Sequence, residues 1–112
     1  MDKITKYRQI VQDLLTEIGS YKNHFPEIET QLLFDTTRDH YQILKTGWRD
    51  LERTYGIVIH IDIKDGKIWI ERNATDLLIA EDLLERGIPK EDIVLAFHPP
   101  YKRPYTGFGV GV

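Results

Sequence analysis

Apolar and polar residues change rhythm several times along this chain. Ile4, Tyr7, Val11, Leu14 and Ile18 recur at spacings of 3, 4, 3 and 4, and Ile10 and Leu15 widen the stripe. Such spacing predicts an amphipathic helix over about residues 3–18, with that stripe in the core. Gly19 stands where a C′ glycine would end it. After a loop from Ser20 to Pro26 the rhythm becomes alternating. Ile28, Thr30, Leu32 and Phe34 interleave with Glu29, Gln31 and Leu33, the period of a strand. Asp35-Thr36-Thr37-Arg38 is a turn-like cluster. A second strand follows from His40 to Trp48, in which Gly47 marks a bulge or a close approach of backbones. Arg49 to Arg53 is a charged connection, and a third strand starts at Tyr55. Its Ile57, Ile59, Ile61 and Ile63 are expected on one face.

The strongest local signal is His60-Ile61-Asp62-Ile63-Lys64-Asp65-Gly66-Lys67-Ile68-Trp69-Ile70-Glu71. Asp65-Gly66 suits a type I′ turn, whose two central residues both need positive φ. That turn makes Lys67–Arg72 a fourth strand and sets the register: Ile63 against Ile68, Ile61 against Ile70, Asp62 against Trp69, His60 against Glu71. One face of the hairpin is then isoleucine, and the other carries His60, Asp62, Trp69 and Glu71.

Beyond the hairpin, Thr75 or Asn73 is placed to cap a second helix, and Asp76 suits its first turn. Leu77, Leu78, Ala80, Leu83 and Leu84 form its stripe; Gly87 and then Pro89 stop it. Asp92 to Leu95 is a short strand or an extended segment. From Phe97 the composition shifts to prolines (Pro99, Pro100, Pro104), glycines (Gly107, Gly109, Gly111) and aromatics, which excludes a regular helix. The expected fold is α+β: an N-terminal helix, a four-stranded antiparallel meander, a second helix, a short fifth strand and an extended C-terminal tail, as one domain over residues 1–112.

Composition narrows the function classes. The 112 residues are 41% hydrophobic and 29% charged, ordinary values for a globular chain. No run of about eighteen apolar residues suggests a transmembrane helix. Met1-Asp2-Lys3-Ile4 enters the first helical pattern without the apolar core of a signal peptide, so a cytoplasmic location is expected. Zero cysteines exclude disulfides, thiolate metal sites and a cysteine nucleophile. The net charge is −3, and neither half of the chain is basic, which argues against nucleic-acid binding by the surface as a whole.

Each chemical reading of the motifs has a plainer rival. His60 and Asp62 share a strand face with Glu71 opposite, which suggests a metal. Without cysteines or a His-x-x-x-His element, a cross-strand polar network under Trp69 or simple contact with solvent is the expectation, with no metal and no cofactor. Asp62-x-Lys64 is faintly like a restriction-type nuclease element, with Asp35 or Asp39 as the second carboxylate two-metal chemistry requires. A solvated hairpin tip explains it as well. Arg38-Asp39-His40 sits beside Thr36 and Thr37, but nothing marks an activated nucleophile, and a capped turn is expected. Gly107-x-Gly109-x-Gly111 lacks the strand and helix of a dinucleotide fingerprint.

Trp69 should stand opposite the isoleucines, covered by helix 2, by the tail or by another protein; Trp48 is open in the same way. The tail, with Tyr101, Lys102, Arg103 and Tyr105, suits base stacking and phosphate contacts, a partner-induced segment, or a strip folded back on its own domain.

Taken in order, the landmarks are Phe34-Asp35-x-x-Arg38-Asp39-His40-Tyr41-Gln42, Gly47-Trp48, Tyr55-Gly56 and His60-x-Asp62-Ile63. Then come Gly66-Lys67-Ile68-Trp69-Ile70, Gly87-Ile88-Pro89-Lys90-x-Asp92-Ile93-Val94-Leu95 and Phe97-His98-x-Pro100. Over nearly its whole length the chain resembles the XisI family of cyanobacteria, controlling factors for excision of the fdxN element. It departs from that pattern at Leu78 and Ala96, where glycines are usual.

The resemblance implies a non-enzymatic accessory protein of programmed DNA rearrangement in heterocyst differentiation. It would work with an XisH-like companion and a site-specific recombinase, with no catalytic residues to carry across. Trp69, His60, Asp62, Glu71, Trp48, Tyr101, Arg103 and Tyr105 are the expected partner contacts. Lys102 and Arg103 are the expected contacts if DNA is bound directly. No membrane partner is expected, and self-association is compatible with the pattern.

Overall fold

The computed structural model describes residues 2–111. The order is α1 (Lys3–Gly19), β1 (Ile28–Asp35), β2 (His40–Arg49), β3 (Glu52–Lys64), β4 (Lys67–Asn73), α2 (Ile79–Glu85) and β5 (Ile93–Leu95), with 3₁₀ turns at Lys90–Asp92 and Pro100–Tyr105. The strands lie side by side in chain order. β1 to β4 form the expected antiparallel meander, and β5 adds parallel to β4 after the α2 crossover.

Turn chemistry sets the strand ends. Asp65 and Gly66 both have positive φ, at 55° and 74°, so the type I′ hairpin forms and pairs Ile63 with Ile68, Asp62 with Trp69 and Ile61 with Ile70. The β2–β3 connection is shorter than the sequence pattern suggests. Asp50 and Leu51 alone separate the strands, with Asp50 also at positive φ. Gly47 has φ 143°, and a Cβ there would lie 2.0 Å from the Glu27 carbonyl oxygen. The expected close backbone approach therefore occurs where Trp48 N–H donates to that carbonyl.

Two β-bulges correct the expected faces. Between Ile43 and Leu44 the β2–β3 register slips, so that Leu44 pairs with Ile57 while Ile43 pairs with Ile59. Val58 is the extra residue and packs against the core; Ile57 moves to the opposite face. In β4 the extra residue is Glu71: Ile61 pairs with Ile70, but His60 pairs with Arg72. Glu71 therefore does not stand across from His60.

The helix ends are corrected as well. Gly19 is the last residue of α1 and has no positive φ; Ser20 is the cap. Its smallness serves packing, because a Cβ would lie 2.7 Å from the Leu32 Cδ2 atom. Helix α2 starts only at Ile79, with no side-chain cap. Asn73 and Thr75 instead build the turn before it: the Asn73 Oδ1 accepts from Thr75 N–H at 3.0 Å, and the Thr75 hydroxyl oxygen accepts from Leu77 N–H at 3.2 Å. Gly87, at φ 101°, ends the helix as expected.

One core cluster joins the inner stripe of α1 (Tyr7, Val11, Leu14, Leu15, Ile18), the buried side of α2 (Ile79, Ala80, Leu83) and the sheet residues Tyr41, Ile43, Ile59, Ile61, Ile63, Ile68, Ile70 and Ile93. Each such aliphatic side chain contributes roughly 1.5–3 kcal/mol by leaving water. Both helices thus cover the same sheet face. Polar clamps align α1 on it. Arg8 binds Asp39 at 2.8 and 3.0 Å, and the buried Tyr41 hydroxyl donates to the same carboxylate at 2.8 Å. The Arg8 hydrogen bonds hold the Asp39 carboxyl below its usual range against the opposing effect of burial. At the other end of the sheet, Tyr7 donates to Asp92 at 2.5 Å and Lys3 pairs with it at 3.0 Å.

Gly47→Ala should lose at least about 2 kcal/mol of stability in urea melts, since both φ and space forbid the methyl group. Gly56→Ala should fall within about 0.5 kcal/mol of wild type, because no atom lies within 4 Å of its added Cβ.

Candidate functional site

Placing both helices on the isoleucine side leaves the opposite sheet face to be covered by something else. In strand order it presents Leu33 and Asp35 from β1, His40, Gln42, Leu44 and Trp48 from β2, and Arg53, Tyr55, Ile57, His60 and Asp62 from β3, with Trp69 from β4.

Trp69 stands opposite the isoleucines as expected, but its indole is only 7% exposed. The tail covers it. Gly109 N–H donates to the Ile93 carbonyl at 2.7 Å and bridges to Val94, laying the tail along β5. Further on, the backbone passes so near the ring that a Cβ on Gly111 would meet it at 2.5 Å. The Arg103 guanidinium lies 5.6 Å from the ring centroid, and the Lys64 ammonium lies 4.2 Å from it. Arg103 is itself held by the His98 and Ala96 carbonyls at 3.1 and 3.4 Å. The Trp69 N–H donates to the Lys64 carbonyl at 3.0 Å. The tail is therefore a strip folded on its own domain, and Trp69 and Arg103 are engaged inside the chain rather than offered to a partner. Tyr101 at 72%, Tyr105 at 88% and the side chain of Lys102 remain exposed on its outer side.

Trp48 is 47% exposed and Tyr55 is 71% exposed. The Arg53 guanidinium lies within cation–π reach of both, 5.6 and 5.8 Å from the two ring centroids. With half-buried Leu44 and Ile57, they form an aromatic and aliphatic surface that no element of the described chain covers. Sequence reasoning found Trp48 and missed Tyr55. The signal was present in the pairing of Thr46 with Tyr55 and Trp48 with Arg53, one residue pair apart on the same face.

Across the sheet from the tail lies a polar cluster built by the register. Asp35, His40, Asp62 and Trp69 occupy one row, and Leu33, Gln42 and His60 the next. The Asp62 Oδ1 accepts from His40 Nδ1–H at 2.7 Å and from His60 Nε2–H at 2.7 Å. Gln42 Nε2–H donates to His60 Nδ1 at 3.3 Å, which fixes the His60 tautomer that donates to Asp62. The hydrogen bond from His40 to Asp62, reinforced by the carboxylate charge, raises the His40 pKa above 6.5. Leu32, Leu33, Phe34 and Asp35 complete a wide, open cleft beside it. His60 and Asp62 are together as expected; Glu71 is displaced by its bulge, and His40 takes its place. His40 was missed because only the β2–β3 register brings it opposite Asp62.

The carboxylates suggested for two-metal cleavage do not assemble. Asp39 faces the helix side under Arg8, and Asp35 is occupied by Thr37 N–H, Arg38 N–H and the Arg38 guanidinium. Asp35 thereby caps the turn in the expected manner.

Three outcomes follow from this geometry. Trp69→Ala should cost about 3 kcal/mol or more and make the segment after Ala96 sensitive to limited proteolysis. NMR titration of His40 should show a midpoint above 6.5, returning toward 6.5 in Asp62→Asn. Because the folded-state pKa is raised, the stabilisation by this pair is complete below the unfolded-state value. It is lost as pH rises through the folded-state value, so the stability advantage of wild type over His40→Gln should shrink from pH about 6 to 8.

Comparison with known proteins places this arrangement in a family. Residues 1–110 match the family model XisI, described as XisI protein. The crystal structure of a XisI-like protein from Anabaena variabilis superimposes with a TM-score of 0.90 and 50% sequence identity, covering 96% of this chain and 98% of that one. The fdxN element excision controlling factor XisI from the same organism superimposes with a TM-score of 0.85 and 38% identity, covering 98% of this chain and 100% of that one. No curated protein matches the chain. Sharing its fold with both structures and matching the family model over nearly its whole length, this chain belongs to the XisI family.

Proposed function

We propose that this protein is a non-enzymatic accessory factor of programmed DNA-element excision that acts in the cytoplasm by binding a partner protein, an XisH-like chain. The excision context is supported by the family and by the relative described as an excision controlling factor. The partner reading is carried by one observation. Trp48, Tyr55 and Arg53 form an exposed cation–aromatic group on a sheet face that both helices leave bare. Trp, Tyr and Arg are the side chains most enriched among residues that dominate binding energy. Tyr101 and Tyr105 are further exposed aromatics on the tail, and His60 and Asp62 add polar specificity between the two regions.

Direct DNA binding through Lys102 and Arg103 has less support. The Arg103 guanidinium lies over Trp69 and bonds two carbonyls, which leaves Lys102, over the Tyr101 ring, as the more available cation of that pair. The net charge of −3 opposes long-range attraction to phosphates.

Co-expression with an XisH-like protein should yield a complex that survives from about 50 to 500 mM salt, whereas phosphate-driven binding would collapse over that range. Trp48→Ala combined with Tyr55→Ala should weaken the complex by about thirtyfold or more, the scale of a hot-spot loss. Absence of a complex with the wild-type chain, or steep loss of binding with salt, contradicts the proposal. A dimer of this chain alone, abolished by the same double substitution, would reassign the face to self-association.

A further inference from the structure

We infer that His40, His60 and Asp62 form a binding site for one divalent ion of the late first transition row, with zinc as the representative. The three side chains come from two neighbouring strands, and one ligand atom from each lies within 4.8 Å of the others. In a four-coordinate zinc site ligand atoms stand about 3.4 Å apart, so modest side-chain rotations open the 2.7 Å contacts enough to admit an ion. Two imidazoles and one carboxylate are a ligand set that such ions favour over magnesium or calcium. All three groups stand on strand backbone paired on both sides, which limits the order that binding must impose.

Without an ion, two imidazole N–H groups converge on the Asp62 Oδ1, an arrangement that concentrates donors on a single acceptor. An ion replaces both protons. At His60 the proton moves from Nε2 to Nδ1, freeing Nε2 as a ligand. The adjacent Gln42 side chain then turns its oxygen, in place of its nitrogen, to accept from Nδ1–H. At His40 the Nδ1 proton moves to Nε2 when the ring is neutral and is released to solvent when it is charged. The cluster opens on the cleft lined by Leu33, Phe34 and Asp35, so the remaining coordination positions face solvent. Asp35 adds negative charge from β1, and Arg38 partly offsets it.

The experiment is calorimetric titration of the untagged full-length chain with zinc chloride at pH about 7.5. One ion per chain is expected. His40→Ala, His60→Ala and Asp62→Asn should each weaken binding by at least about tenfold, and Gln42→Ala by about the same factor through loss of the outer partner. Thermal melts of the four variants without zinc confirm that each is folded. Affinity should fall as pH is lowered, because protons compete with the ion for its ligand atoms. Cobalt(II) should occupy the same site with visible absorption that zinc abolishes, while magnesium at equal concentration should displace neither. No uptake of zinc by the wild-type chain overturns the inference. So does uptake unchanged in all three ligand variants, or equal occupancy by magnesium.

Discussion

A sheet has two faces, and here both helices are on one of them. This single constraint organises the molecule. The apolar stripe of α1 and the short apolar side of α2 meet Tyr41, Ile43 and the isoleucines of β3 and β4 in one cluster. The core needs little else: each buried aliphatic chain adds a few kcal/mol at most, and the sum offsets the entropy of ordering the chain. The polar clamps of Arg8 on Asp39 and of Tyr7 on Asp92 hold α1 in one orientation. The consequence lies on the other side, where strand residues must find their own cover or remain open.

The chain meets that demand in three ways along the uncovered face. At β4 and β5 the tail lies over Trp69 and Val94, held by the bridge at Gly109 and by Arg103 on the indole, which Lys64 of β3 meets as well. In the middle, His40, His60 and Asp62 satisfy one another, so that no buried polar side-chain atom among the described residues lacks a partner. Toward the far end of β2 and β3, Trp48 and Tyr55 neighbour the Arg53 guanidinium and stay exposed. Covered, self-satisfied and open regions thus follow one another on a single surface, and the open region is the part suited to a partner.

Much of this was legible in the sequence because its signals are local. The period of α1, the Asp65-Gly66 turn and the helix stop at Gly87 need only a few neighbouring residues to be understood. What escaped is what depends on pairing between distant segments. Neither bulge has a residue-type signature: Val58 and Glu71 are ordinary strand residues in an alternating pattern. Yet each shifts the strand by one position, and in a structure of period two this exchanges faces. Ile57 was expected in the core and Glu71 beside His60 for this reason. His40 was overlooked because it lies twenty-two residues from Asp62 and becomes its neighbour only through the β2–β3 register. The tail was open to three readings, since its anchors, backbone against an indole and the single Phe108 ring on the core, make no periodic apolar stripe.

The same geometry bears on the kind of work this face can do. Transition-state stabilisation draws its strength from preorganised groups in an enclosure that excludes water. Here the His40 side chain is half exposed, and the cleft beside it is open. Charges there are screened, and a substrate would gain little from them. Recognition has the opposite requirement, a broad surface with aromatic anchors and a few directional polar groups, which the β2–β3 face supplies. An ion held by His40, His60 and Asp62 fits that requirement too. Its unfilled positions would point outward from the sheet, where a side chain of an arriving protein could complete the coordination. Metal and partner would then stabilise each other's binding by linkage, each favouring the arrangement of imidazoles that the other needs.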